Sequence, residues 1–136
     1  MKKLVIVFFV VCIAAVMSVT AQTAESYFAA GIEKYKKGLY KEAITDYTKS
    51  IELSPQAANA YYNRGNAKVA LGDSKGAIAD YTKAIELDPQ YAKPYSNRAV
   101  IYYNEGETTL ACADFQKAKE LGYKEAEAMI EEFCKK

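Results

Sequence analysis

Segments beginning at Ala24, Ala58 and Ala92 align at a spacing of 34 residues without a gap: AESYFAAGIEKYKKGLYKEAITDYTKSIELSPQA, ANAYYNRGNAKVALGDSKGAIADYTKAIELDPQY and AKPYSNRAVIYYNEGETTLACADFQKAKELGYKE. A period of this length marks stacked supersecondary units that cannot bury their apolar faces alone. Stacking builds an elongated solenoid, whose usual work is to offer a surface to a partner rather than to enclose a substrate.

The residue types that recur say what each unit is. Tyr27, Tyr61 and Tyr95 hold the fourth position, and Gly31, Gly65 and Ala99 the eighth. Gly38, Gly72 and Gly106 hold the fifteenth, Ala43, Ala77 and Ala111 the twentieth, and Tyr47, Tyr81 and Phe115 the twenty-fourth. Ser50, Ala84 and Ala118 hold the twenty-seventh, and Leu53, Leu87 and Leu121 the thirtieth. Spacings of three and four place such residues on one helical face, so each unit reads as two helices with these positions in the core. The glycine at fifteen tolerates the left-handed conformation past a helix end. Asp73 is the expected N-cap of the following helix. Pro55 and Pro89 end the second helices of the first two units, because the residue ahead of a proline is pushed out of the helical region. A small residue at position eight facing the alanine at twenty predicts close helix approach, with the aromatics filling the space beside it.

This register resembles the tetratricopeptide repeat family over Ala24 to Glu125. The second unit meets the family pattern almost fully. The third departs from it, with Ala99 in place of glycine and Gly122-Tyr123 in place of Ser-Pro or Asp-Pro, which predicts a change of direction or packing there. The resemblance implies an all-α fold, a right-handed superhelical solenoid of antiparallel helix pairs, with repeats 24–57, 58–91 and 92–125. Residues 126–136 read as a closing amphipathic helix, with Ala126, Met129, Ile130, Phe133 and Cys134 on its apolar stripe; a solenoid needs such an end.

The segment before the repeats has a different character. Lys2 and Lys3 precede an unbroken apolar run from Leu4 to Met17, and Ser18-Val19-Thr20-Ala21 follows. That is the layout of a signal peptide cut after Ala21, leaving one domain, 22–136, in the periplasm or outside the cell. Leu4 to Ala24 carries no charge, so an uncleaved leader anchoring the repeats to a membrane is the alternative. Without Lys2 and Lys3 the 18 basic residues become 16 against 17 acidic, a formal charge of −1, which offers nucleic acid no attraction. The chain has no histidine, which removes histidine metal sites and any Ser-His or Cys-His pair. No enzyme, cofactor, metal or small-molecule substrate is expected.

Beyond the leader the cysteines are Cys112 and Cys134. Cys112 takes the twenty-first position, where the other units carry Ile44 and Ile78, and so faces the next helix. Two such thiols in an exported protein form a disulfide or stay buried as small apolar side chains. A redox site would lack a Cys-x-x-Cys spacing.

In the resembled family the first helices of successive units line the concave face that receives a peptide. Here the positions facing that way are two, five, six, nine, twelve and thirteen. Among them Phe28, Ile32, Tyr35, Tyr62, Asn63, Asn66, Lys93, Asn97, Val100 and Tyr103 form the expected partner-binding set. Amides can bond an extended backbone in either sense, and aromatics add contact area. Family members that clamp the carboxylate tail of cytosolic chaperones use five charged or amide residues on this face. The present chain keeps Asn63 and Lys93 but has Phe28, Ile32 and Asn97 at the other three, so its groove calls for a less charged ligand. The expectation is a protein- or peptide-binding scaffold of the cell envelope or secreted space, its partner not readable from the sequence.

Overall fold

A computed structural model describes residues 22–135; the expected leader lies outside the described residues. All regular structure in them is helical: α1 (Ala24–Lys36), α2 (Tyr40–Leu53), α3 (Ala58–Ala70), α4 (Ser74–Leu87), α5 (Ala92–Asn104), α6 (Thr108–Glu120) and α7 (Glu125–Phe133). None of the described helices is long and apolar enough to cross a membrane. Three-residue loops join α1 to α2, α3 to α4 and α5 to α6, so these helices pack as antiparallel pairs. Each pair then stacks on the next through α2–α3 and α4–α5, and α7 lies on α6.

The first helix of each pair ends the same way. Gly38, Gly72 and Gly106 adopt φ of 76°, 78° and 84°. This lets the next amide reach back, Leu39 N–H to Lys34 O and Asp73 N–H to Lys68 O, both at 2.9 Å. Asp73 then caps α4 by accepting from the Gly76 amide at 2.9 Å. A cap the sequence reading did not anticipate starts α1, where Thr23 and Ser26 form a reciprocal capping box.

The third unit turns differently, and the reason is local. Ser54 and Asp88 close α2 and α4 outside the helical region, with φ of −138° and −139°, ahead of their prolines. Gly122 instead takes φ 87° and closes α6 with the turn used by the first helices; Tyr123 N–H bonds Ala118 O at 3.0 Å. The chain therefore enters α7 by a tight glycine turn. That helix runs from Glu125 to Phe133 rather than over the whole expected 126–136, with Cys134 as its C-cap.

The core follows the eighth, twentieth, twenty-fourth and twenty-seventh positions; the glycines at fifteen are exposed, and at four Tyr95 is buried while Tyr27 and Tyr61 are only half-buried. The thirtieth position lies at the edge of the core: Leu53, the last residue of α2, is 57% exposed, while Leu87 and Leu121 are half-buried and Leu121 packs against Tyr95, Ala118 and Ala126. The eighth position makes room chiefly for the aromatic at twenty-four. A Cβ on Gly31 would stand 2.6 Å from Tyr47 Cε1, and one on Gly65 would stand 2.7 Å from Tyr81 Cε1. Tyr47, Tyr81 and Phe115 are almost wholly buried. Burial pushes the Tyr47 phenol up to about 12 and the Tyr81 phenol higher still.

Successive pairs are also joined by a polar link. Arg64 on α3 donates to both carboxylate oxygens of buried Asp80 on α4, at 2.9 and 2.7 Å, and to Thr48 Oγ1 on α2 at 3.2 Å. Arg98 repeats this one unit on, with Asp114 at 2.7 and 2.9 Å and Thr82 at 2.9 Å. Each guanidinium thus ties its own pair to the one before it. Bidentate geometry suits arginine alone among the cations. The bond to Asp114 holds Arg98 above the usual arginine value.

Candidate partner-binding groove

A groove of about 450 Å³ opens along the first helices of the pairs. Tyr35 of α1, Asn66 and Val69 of α3, and Asn97, Val100, Ile101 and Asn104 of α5 line it. Ser74 and Tyr81 of α4 and Glu105, the C-cap of α5, complete the wall. Val69 and Val100 are 45% and 39% exposed and give the groove an apolar strip.

The amides are held in place by the core behind them. Tyr81 Oη–H donates to Asn66 Oδ1 at 2.7 Å. Asn97 Nδ2 donates to the same oxygen at 3.0 Å and to Tyr62 Oη at 3.3 Å. Tyr62 is itself packed between Tyr81 and Tyr91, with ring centroids 5.9 and 5.1 Å away. Two acceptor sites on Asn66 Oδ1 and two hydrogens on Asn97 Nδ2 are thereby used, which sets which way each amide points. Burial raises Tyr35, with Tyr40 and Tyr62 adding to it, and raises Tyr81, where the Asn97 amide partly opposes it. Both phenols stay neutral hydrogen-bond groups near neutral pH.

Of the ten residues expected on this face, Tyr35, Asn66, Asn97 and Val100 line the groove, and Tyr62 supports it from behind. Phe28 and Ile32 pack against the first pair's core around Tyr47, and Phe28 borders a separate small cleft of about 90 Å³ between α1 and the α2–α3 turn. Asn63 donates back to Asn59 O on its own helix at 2.8 Å, and Lys93 is exposed outside the groove. Tyr103 is covered by α7, its ring 4.2 Å from that of Phe133. Six lining residues lie outside that set: Val69 and Asn104, at the expected positions twelve and thirteen, and Ser74, Tyr81, Ile101 and Glu105. Ile101 sits at position ten of its unit and Ser74 on a second helix, outside the first-helix stripe that periodicity picks out.

At the closed end of the array, Cys112 and Cys134 face each other with Cα atoms 5.8 Å apart, within the range a disulfide requires. Among the described residues no cluster of acidic or sulfur side chains is arranged to hold a metal ion.

Comparison with known proteins agrees with this geometry. Residues 31–72 and 65–106 match the family described as TPR repeat, and residues 92–121 match tetratricopeptide repeat. The first TPR of Spaghetti (RPAP3) bound to the HSP90 peptide SRMEEVD is 28% identical, with a TM-score of 0.78 over 85% of this chain and 93% of that one. The second TPR domain of human RPAP3, in complex with the HSP70 peptide SGPTIEEVD, is 30% identical, with a TM-score of 0.76 over 83% and 96%. MamA is 28% identical, with a TM-score of 0.73 over 78% of this chain and 62% of its own. No curated protein sequence matches the chain. The family matches, the paired helices and the recurring register together establish that this chain belongs to the tetratricopeptide repeat family.

Proposed function

We propose that the chain is a non-catalytic adaptor, exported by a leader that ends at Ala21, and that it holds an extended segment of a partner protein in the Asn66–Asn97 groove. Three repeats form the working surface, and α7, pinned by an oxidised Cys112–Cys134 bond, closes the array. The observation that carries the reading is the groove itself: an open apolar strip beside amides whose orientation the core has already set. Preorganised polar groups lose less entropy on binding than mobile ones do. Solved relatives that hold peptides support a peptide as the ligand class. The non-catalytic reading rests on the lack of histidine in the chain and on the single acid, Glu105, in the groove lining.

The test replaces Val100 with a photo-cross-linking phenylalanine analogue in the producing cells. A control carries the same residue at Glu86, which is exposed on α4 and is not part of the groove wall. A discrete protein adduct from position 100 and none from position 86 is expected. Equal adducts at both positions, or none at position 100, would remove the groove from consideration. N-terminal sequencing of the same preparation reads the leader: Gln22 at the start supports release, and Met1 retained in the membrane fraction indicates an anchored adaptor instead.

A further inference from the structure

The groove is asymmetric in charge and in hydrogen-bonding capacity, and both asymmetries select a ligand. The network that fixes the amides consumes Asn66 Oδ1 and Asn97 Nδ2. Asn66 Nδ2 and Asn97 Oδ1 have no hydrogen-bond partner among the described residues. A donor and an acceptor thus stand on neighbouring helices, the complement of the N–H and C=O of one extended residue, which point to the same side of the chain. Proline cannot supply that N–H.

The charge lies at one end. The first helices present their C-termini there, through Tyr35, Val69, Asn104 and Glu105. A helix C-terminus carries partial negative charge and favours a cation in its last turn. On α1 and α3 the chain supplies cations there: Lys34 pairs with Asp46, Lys36 with Glu33, Lys68 shares Asp80 with Arg64, and Lys37 is itself the C-cap of α1. The last turn of α5 has no basic residue, and its C-cap is an acid. Glu105 forms no ion pair among the described residues. The α5 end is therefore negative on two counts with nothing of its own to offset it.

Building on the groove reading above, we infer that the ligand is an extended peptide segment bearing a lysine or arginine. Asn66 and Asn97 grip the N–H and C=O of one extended, non-proline residue, an apolar side chain lies on Val69 and Val100, and the cationic side chain meets Glu105 at the end of α5. Asn97 and Glu105 are eight residues apart on α5, about 12 Å along the axis. An extended chain covers that in about two to four residues, allowing for the reach of the basic side chain. This polarity is opposite to that of an acidic tail.

The probe is a positional-scanning set of fluorescein-labelled hexapeptides, amidated at the C-terminus, titrated by fluorescence anisotropy against the exported protein at low salt. Lysine and arginine should be favoured at one position. A second position, about two to four residues away, should reject proline and lose about tenfold in affinity on N-methylation, the loss of one hydrogen bond. Glu105→Gln should erase the basic preference, a loss of about threefold to fivefold, while leaving the proline exclusion intact. A preference for Asp or Glu, or a basic preference unchanged in Glu105→Gln, would overturn this inference and leave the groove standing. Absence of peptide binding together with absence of the Val100 adduct would overturn the groove itself.

Discussion

Tyr81 joins core to groove within a single side chain. Its ring fills the space left by Gly65, and its hydroxyl holds Asn66. Gly65→Ala would set a methyl 2.7 Å from the ring, and the ring cannot move away without releasing the amide. The substitution should cost about 1–3 kcal/mol by overpacking, measured by urea unfolding, and should weaken any groove ligand at the same time. Unchanged stability would show that the ring has room to yield. The third unit has escaped this constraint: Ala99 faces Phe115, which has no hydroxyl to anchor. At this scale the sequence was partly legible. Small and aromatic residues at fixed spacing announced the core, but nothing in the pattern singled out Arg64 and Arg98. Their role depends on Thr48 and Thr82, each in the preceding unit, and no pattern within one helix displays that. Ala30 takes the arginine's place in the first unit, where no earlier unit supplies a threonine.

Among the elements, α7 differs from the rest because nothing in the repeat requires it. Its inner face brings Ala126, Met129, Ile130 and Phe133 against α5 and α6, covering Phe115 and Tyr103. Read from sequence, this helix was visible as an amphipathic stripe, because apolar spacing of three and four is local information. Its end was not visible, since no glycine or proline follows Phe133 to mark where pairing stops. Nor was it evident that α7 takes Tyr103 out of the expected groove, because that depends on the turn at Gly122 rather than on α5. Deleting residues 125–136 should cost on the order of 3 kcal/mol, from three large side chains that each lose part of their buried area. Calorimetry would read this as a lowered Tm, and a hydrophobic dye would report the uncovered Phe115 and Tyr103. A deletion variant with unaltered Tm would mean that α7 is bystander rather than cover.

On the scale of the whole molecule, the scaffold was legible because its residues recur, and the groove was not because its residues differ from unit to unit. Position nine is Ile32, then Asn66, then Val100; position five is Phe28, then Tyr62, then Ser96. Only the fold shows that Ile32 and Phe28 turn into the first pair's core while Asn66 and Val100 meet across the groove. The relatives that bind peptides ending in EEVD share the scaffold, so they provide a direct measure of what the groove has changed. Here Phe28 and Ile32 are apolar, and Asn97 spends both amide hydrogens on Asn66 and Tyr62. Of the two retained residues, Lys93 stands outside the groove and Asn63 is turned back to Asn59. The glutamates of SRMEEVD would also meet Glu105 rather than a cation. Losing at least two charge-assisted contacts, at about 2 kcal/mol each, predicts affinity about a thousandfold below that of the RPAP3 domain. Side-by-side anisotropy with labelled SRMEEVD measures the difference directly. Affinities within tenfold of each other would mean that the acidic tail finds cations this arrangement does not provide, and would reverse the polarity assigned to the groove.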